Sequence, residues 1–218
     1  MSTAAGGGVV LPRVVLVTQD GLPPRRVLDL WPALVAAVPA GTVALSVRYR
    51  GMEGQALLQL VQRLMQLVPE APVLVSRRAD VAVAAGCGVH LPGTGIPSAQ
   101  ARHMLGPAAL VLSAVHNAAE AHAATASSLV LVSPVWPPRS HATQRPALGA
   151  SAAASLAGFS GRPWLALGGV TLENVAQVLD AGAWGVGAHA LVFDAPDPPA
   201  ALGALWGRLC GAPLPFGP

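Results

Sequence analysis

Trp164-Leu165-Ala166-Leu167-Gly168-Gly169-Val170-Thr171-Leu172-Glu173-Asn174-Val175 is the stretch on which the fold turns. A short apolar run stops at a glycine pair. Thr171, with Asn174 three residues on, predicts an N-cap for a helix running to about Ala181. Strand, tight turn and helix follow one another within twenty residues. Two glycines there let an anion approach bare backbone N–H groups at a helix start. A second such unit follows at once, Gly182-Ala183-Trp184-Gly185-Val186-Gly187-Ala188-His189-Ala190. A (β/α)8 barrel holds phosphate with tandem strand ends of this kind, after its seventh and eighth strands. Gly168, Gly169, His189 and Ala190 are therefore the predicted phosphate-binding positions. The plainer reading stands beside it: glycines that only permit tight turns and close helix–sheet packing.

Working back toward the N-terminus, the same alternation repeats. Apolar, β-branched runs at residues 14–18, 42–48, 72–76, 88–91, 109–113 and 128–132 read as six earlier strands. Helical periodicity separates them, clearest over 55–68, where Leu57, Leu58, Val61, Leu64, Met65 and Val68 recur at helical spacing. Residues 198–209 give a last helix. The strands are short and apolar on both faces, as buried parallel strands are. The prediction is one (β/α)8 TIM barrel over 13–212, with a flexible tail at 1–12 and another at 213–218. An open doubly wound sheet is the runner-up, weakened because no G-x-G-x-x-G follows the first strand.

Composition narrows the function. Of 218 residues, 53% are hydrophobic and 11% charged, ample for a large core. No apolar run reaches membrane-spanning length unbroken, and the first eight residues lack the basic start of a secretory signal. Cys87 and Cys210 have no partner at metal-ligand spacing. A reduced, cytoplasmic protein is expected, with no membrane partner. The net charge of +3 is modest and basic residues are scattered, so no nucleic-acid partner is expected. All 13 basic residues are arginine, which excludes lysine Schiff-base chemistry and a P-loop lysine.

In a barrel the chemistry sits where strands end. Arg48 and Arg50 share one face of strand two and are placed to fork onto a phosphate or carboxylate, unless Asp20 or Glu53 claims one of them. Ser76 and Arg77 end strand three, His90 sits on strand four, and Ser113 ends strand five with His116 just beyond. No carboxylate adjoins Ser113 and His116 in sequence to orient an imidazole, which argues against a hydrolytic triad. The long proline-rich loop after strand six carries His141. Arg48, Arg50, Ser76, Arg77 and Ser113 are the predicted substrate-binding residues, and His116 and His141 the predicted proton-transfer residues. Asp20 is the lone carboxylate directly at a strand end, and the histidines lack metal-ligand spacing, so neither a metal site nor another cofactor is predicted.

These segments together resemble the thiamine phosphate synthase and TenI (thiazole tautomerase) superfamily. Leu16-Val17-Thr18, Ser46-Val47-Arg48-Tyr49-Arg50, Val75-Ser76-Arg77-Arg78-Ala79-Asp80 and Gly88-Val89-His90-Leu91 are similar to its first four strand ends. Ala114-Val115-His116-Asn117 with Glu120-Ala121, Ser133-Pro134-Val135-Trp136-Pro137, Leu167-Gly168-Gly169-Val170 and Gly182-Ala183-Trp184-Gly185-Val186 continue the likeness in order. The resemblance implies a phosphorylated heterocycle such as thiazole phosphate as ligand. It also exposes departures. The two aspartates that hold magnesium in the synthase fall at Arg77 and Gly95, and its asparagine at Ser76. Its strand-five serine falls at Ala114, its strand-eight serine at Ala190, and its loop-six threonine and lysine near Pro138 and His141. The tautomerase's catalytic histidine falls at Pro134. Three functions follow as expectations: a metal-free tautomerase-like enzyme, a synthase whose diphosphate site is built on Arg77, and a barrel that binds a phosphorylated ligand or partner without catalysis. A homodimer is compatible with all three.

Overall fold

The computed structural model describes residues 10–137 and 145–211. Eight parallel strands close on themselves in chain order, β1 pairing with both β2 and β8. They are β1 Val14–Val17, β2 Val43–Val47, β3 Val73–Ser76, β4 Gly88–Leu91, β5 Val111–Val115, β6 Leu129–Val132, β7 Trp164–Ala166 and β8 Gly185–Ala188. The helices are α1 Pro24–Ala36, α2 Gly54–Leu67, α3 Ala79–Ala85, α4 Ser98–Leu105, α5 Ala118–Ala123, α6 Ala150–Gly158, α7 Val175–Asp180, α8 Ala190–Phe193 and α9 Pro198–Cys210. This is the expected (β/α)8 barrel, with the short α8 added before the last helix. Of the predicted tails, 1–9 and 213–218 lie outside the described residues.

Side chains alternate across each strand, so the core divides in two. One set, with Val15, Val17, Leu74, Leu112, Leu129, Leu131 and Leu165, fills the barrel interior. The other, with Val14, Leu16, Val43, Leu45, Val111, Val130 and Val186, faces the helices. α2 shows how the outer layer is held: Leu57, Leu60, Val61 and Leu64 recur every three or four residues and all are buried. Toward the strand C-termini the interior turns polar, at Ser46, Ser76 and His90.

The Arg102 guanidinium ties α4 to β5 and β6. It donates to the carbonyls of Gly106, Pro107 and Ala109 at 3.1, 3.1 and 2.6 Å, and to Ser128 Oγ at 2.8 Å. Arg102→Leu keeps the apolar stem and leaves these partly buried acceptors without their donor. A loss of about 1–2 kcal/mol is expected in urea denaturation. An unchanged midpoint would mean that water replaces the guanidinium at no cost.

Two local expectations are corrected. β5 ends at Val115, two residues later than its apolar run suggested, because the ladder with β6 continues through Val115↔Val132. α7 begins at Val175 rather than beside Thr171. Thr171 Oγ1 accepts from the Glu173 and Asn174 N–H groups, Asn174 Oδ1 accepts from Thr171 N–H, and Val175 N–H bonds Thr171 O, so the capping pair closes the turn that leads into α7.

Candidate active site

A cavity of about 860 Å³ opens over the C-terminal ends of the strands. Three features make its walls: arginines from the second and third strand ends, histidines, and glycine-rich backbone from the seventh and eighth.

Arg48, Arg50 and Arg77 line one side. Buried Thr18 fixes the Arg48 backbone: Thr18 Oγ1 accepts from Arg48 N–H at 2.7 Å and donates to Arg48 O at 3.3 Å. The Arg48 pKa lies below the usual arginine value because of burial first, and then the like charges of Arg50 and Arg77, with Asp20 opposing. A guanidinium crowded by like charge is a receptor for an anion. Arg50 is partly claimed by Asp20, as one reading of the sequence allowed. Its N–H donates to Asp20 Oδ1 at 2.7 Å, while the side chains lie 3.9 Å apart and more than half exposed, a weak pair. Arg77 has φ 71°, the left-handed region that L-residues avoid at a cost of about 1–2 kcal/mol. Its N–H donates to His90 O at 3.0 Å. The turn sends Arg77 to the cavity and Arg78 outward, where Asp80 holds it at 2.6 Å.

His90 lies at the floor with Nδ1 2.8 Å from Ser46 Oγ. Burial, then the charges of Arg48 and His116, push its pKa from 6.5 down to about 4. It is therefore a neutral hydrogen-bonding group near pH 7. Between pH 6.5 and about 4 the unfolded chain binds a proton that the folded chain refuses, so stability rises with pH there. The contribution is complete above pH 6.5 and shrinks as pH falls to about 4, by about 3 kcal/mol in all. Urea denaturation from pH 7 to 4 should show a shallower acid loss for His90→Asn than for the parent. Equal slopes would remove His90 from the acid response.

His116 follows β5 and is mostly buried. Its Nδ1 is 2.7 Å from Glu120 Oε2, and the same oxygen accepts the His116 backbone N–H at 2.8 Å. This corrects the expectation that no carboxylate orients this imidazole. Asn117 caps α5 by accepting from Glu120 N–H at 2.9 Å, and the capping geometry turns the Glu120 side chain back onto His116. The signal was legible as Asn117-x-x-Glu120. Because a carboxylate only accepts, His116 Nδ1 carries the proton and Nε2 is left for chemistry. Glu120 also packs beneath Gly93, where a Cβ would collide with its carboxylate.

On the backbone side, Gly168 and Gly169 have φ of 97° and 61°. Gly168 O accepts from Trp136 N–H at 3.1 Å, and Gly169 O from Asn174 Nδ2 at 2.8 Å. In a trans peptide the N–H opposes the C=O. The Gly169 and Val170 N–H groups thus point away from these partners, and neither donates to a described residue. At β8, His189 Nδ1 donates to Val17 O at 2.8 Å. That carbonyl would otherwise extend the β1–β8 ladder to Ala190 N–H, which makes no bond to a described backbone carbonyl. His189 and Ala190 border the same cavity. The plain packing role of the glycines is also present, since a Cβ at Gly169 would lie 2.6 Å from Trp136 Cβ.

Ser113 is not part of this wall. With β5 running to Val115, it sits mid-strand on the helix-facing side and bonds Ser127 Oγ at 2.7 Å. His141 lies outside the described residues. Arg145, Glu173 and Asp194, which the sequence reading did not single out, also border the cavity.

At the positions that resemble the family's magnesium-binding aspartates stand Arg77 and Gly95; of the carboxylates near the cavity, Glu120 is engaged by His116 and Asp20 accepts from Arg50. No group of three or more His, Cys, Asp or Glu residues among those described could hold a metal ion.

Residues 14–191 match the family model described as thiamine monophosphate synthase. Thiamine-phosphate synthase of Anaeromyxobacter dehalogenans is 38% identical over 170 residues, 76% of this chain and 77% of that protein. The thiamine-phosphate synthase of Acidothermus cellulolyticus is 33% identical over 195 residues, covering 86% and 92%. The fold is that of thiamine phosphate pyrophosphorylase from Pyrococcus furiosus, with TM-score 0.77, 21% identity, and coverage of 95% of this chain and 98% of that one. Among the described residues no helix is long and apolar enough to cross a membrane. With strand order and sequence in agreement, the chain belongs to the thiamine monophosphate synthase (TMP-TENI) family and is a thiamine-biosynthesis (β/α)8 barrel.

Proposed function

We propose that the barrel isomerises a thiazole phosphate by proton transfer, without a divalent cation. The carrying observation is the His116–Glu120 pair at the rim of an arginine-lined cavity. Glu120 holds the imidazole in one tautomer, and Nε2 exchanges a proton with a ring carbon. The substrate phosphate sits on the Gly169, Val170 and Ala190 amides, and Arg48 and Arg77 take the remaining negative charge. Trp136 packs against Gly169 and does not line the cavity, which leaves room for a ligand. That room weighs against a purely structural barrel.

A second reading is favoured by the names of the relatives and by Arg77: a synthase in which guanidinium groups replace magnesium at a diphosphate leaving group. Incubation of the protein with the thiazole carboxylate phosphate separates the readings, alone and with the pyrimidine diphosphate, in magnesium or in chelator. Isomer formed from the thiazole alone, insensitive to chelator, supports the first. Thiamine phosphate formed in chelator supports the second. Binding without either product would overturn both and leave a ligand-binding barrel.

A further inference from the structure

Two histidines border the cavity with their tautomers already chosen, and the reading above uses only one. His116 gives its Nδ1 proton to a carboxylate and His189 gives its own to the Val17 carbonyl. A carbonyl oxygen accepts and cannot donate, so His189 Nδ1 must carry hydrogen. Neither Nε2 bonds a described residue. The rings stand at the ends of β5 and β8, three strands apart around an eight-stranded ring. His189 is further held by Phe193, ring centroids 5.5 Å apart.

Resting on the isomerase reading, we infer that His189 is a second proton-transfer residue, delivering a proton on the phosphate side of the substrate while His116 removes one on the other. A shift of a double bond removes hydrogen from one carbon and adds it to another, and two imidazoles at separate strand ends divide these two transfers between them. As His116 Nε2 takes the proton, the C–H electron pair enters the conjugated system and the double bond migrates. The far carbon, nearer the phosphate arm, forms its new C–H bond with the proton on His189 Nε2. His116 ends protonated and His189 ends neutral, its Nδ1–H still on Val17 O. Exchange with water resets both, and no electrons are gained or lost. The phosphate held at Ala190 N–H, one residue away, supplies the counter-charge for the imidazolium that donates.

His189→Asn tests this, because the asparagine amide can keep the bond to Val17 O while removing Nε2. Circular dichroism and the denaturation midpoint check folding. The expected result is a fall in kcat of about 100-fold or more, with KM within a fewfold of the parent. In D2O the substrate ring C–H should still exchange in this variant, and should not exchange in His116→Asn. A raised KM with kcat retained would make His189 a phosphate ligand only and overturn the inference, as would unchanged kinetics. If His189→Asn does not fold, a substrate deuterated at the ring carbon is followed in the parent protein. Deuterium carried to the new C–H overturns the inference, and hydrogen drawn wholly from solvent supports it. Absence of isomerisation by the parent protein is a separate result, which overturns the isomerase reading and this inference with it.

Discussion

Replacing His116 by asparagine is expected to lower kcat for thiazole phosphate isomerisation by about 10²–10⁴-fold, the usual contribution of a positioned acid–base group. KM should move little, because in the proposed binding mode the phosphate sits at Gly169 and Ala190, which border the same cavity, and not at His116. Glu120→Gln should act in the same direction with the imidazole still present. An amide can offer either N–H or C=O to Nδ1, so the tautomer with Nε2 free is no longer enforced. Gly93→Ala should reproduce part of the Glu120 effect from a third position, since its Cβ meets the carboxylate. Steady-state kinetics on the three variants checks the chain of cause. Full activity in His116→Asn would remove the imidazole from the chemistry and end the isomerase reading.

Gly169→Ala is expected to have a large structural effect at the cavity wall. At φ 61° a Cβ costs about 1–2 kcal/mol in conformation alone. The new methyl would also lie 2.6 Å from Trp136 Cβ and 2.7 Å from Pro137 O, and loop and backbone there cannot both yield. Overpacking adds about 1–3 kcal/mol, for a total of about 2–5 kcal/mol. At this chain length that is a fall in Tm of roughly 5–15 °C. Gly86→Ala is the control, with φ 68° and open space around its Cβ. It should lose only the conformational part. Equal losses at the two sites would show that the contact with loop six has no weight, and that Gly169 is there for its backbone angle only. Inorganic phosphate should also bind more weakly to Gly169→Ala than to Gly86→Ala, because only the former disturbs the amides facing the cavity.

The limits of sequence reading are visible in particular residues. The apolar run around strand five ends at Ser113, but the hydrogen-bond ladder continues to Val115. A shift of two residues keeps the alternation, yet moves the strand end past Ser113 and leaves it facing Ser127 behind the sheet. His116 stands out in the sequence because it follows a strand. Its carboxylate does not, because Glu120 lies one helical turn on and only the capping turn at Asn117 folds it back. Thr171 reads as a helix cap by its type and spacing, and its Oγ1 does accept the Asn174 N–H while Asn174 Oδ1 accepts the Thr171 N–H, but regular helix starts only at Val175.

Residue order alone determined the barrel. Short strands apolar on both faces need cover on both sides, and alternating helices supply it, whichever residues line the mouth. The glycines at 168 and 169 and the arginines at 48 and 77 were likewise readable, because backbone freedom and fixed charge are properties of residue type. Closure of the sheet decided the rest. It brought Val17 O to His189 and Ser46 to His90, partners 172 and 44 residues apart in the chain. Which nitrogen of each imidazole is occupied depends on those distant neighbours, and no local pattern along the chain records them.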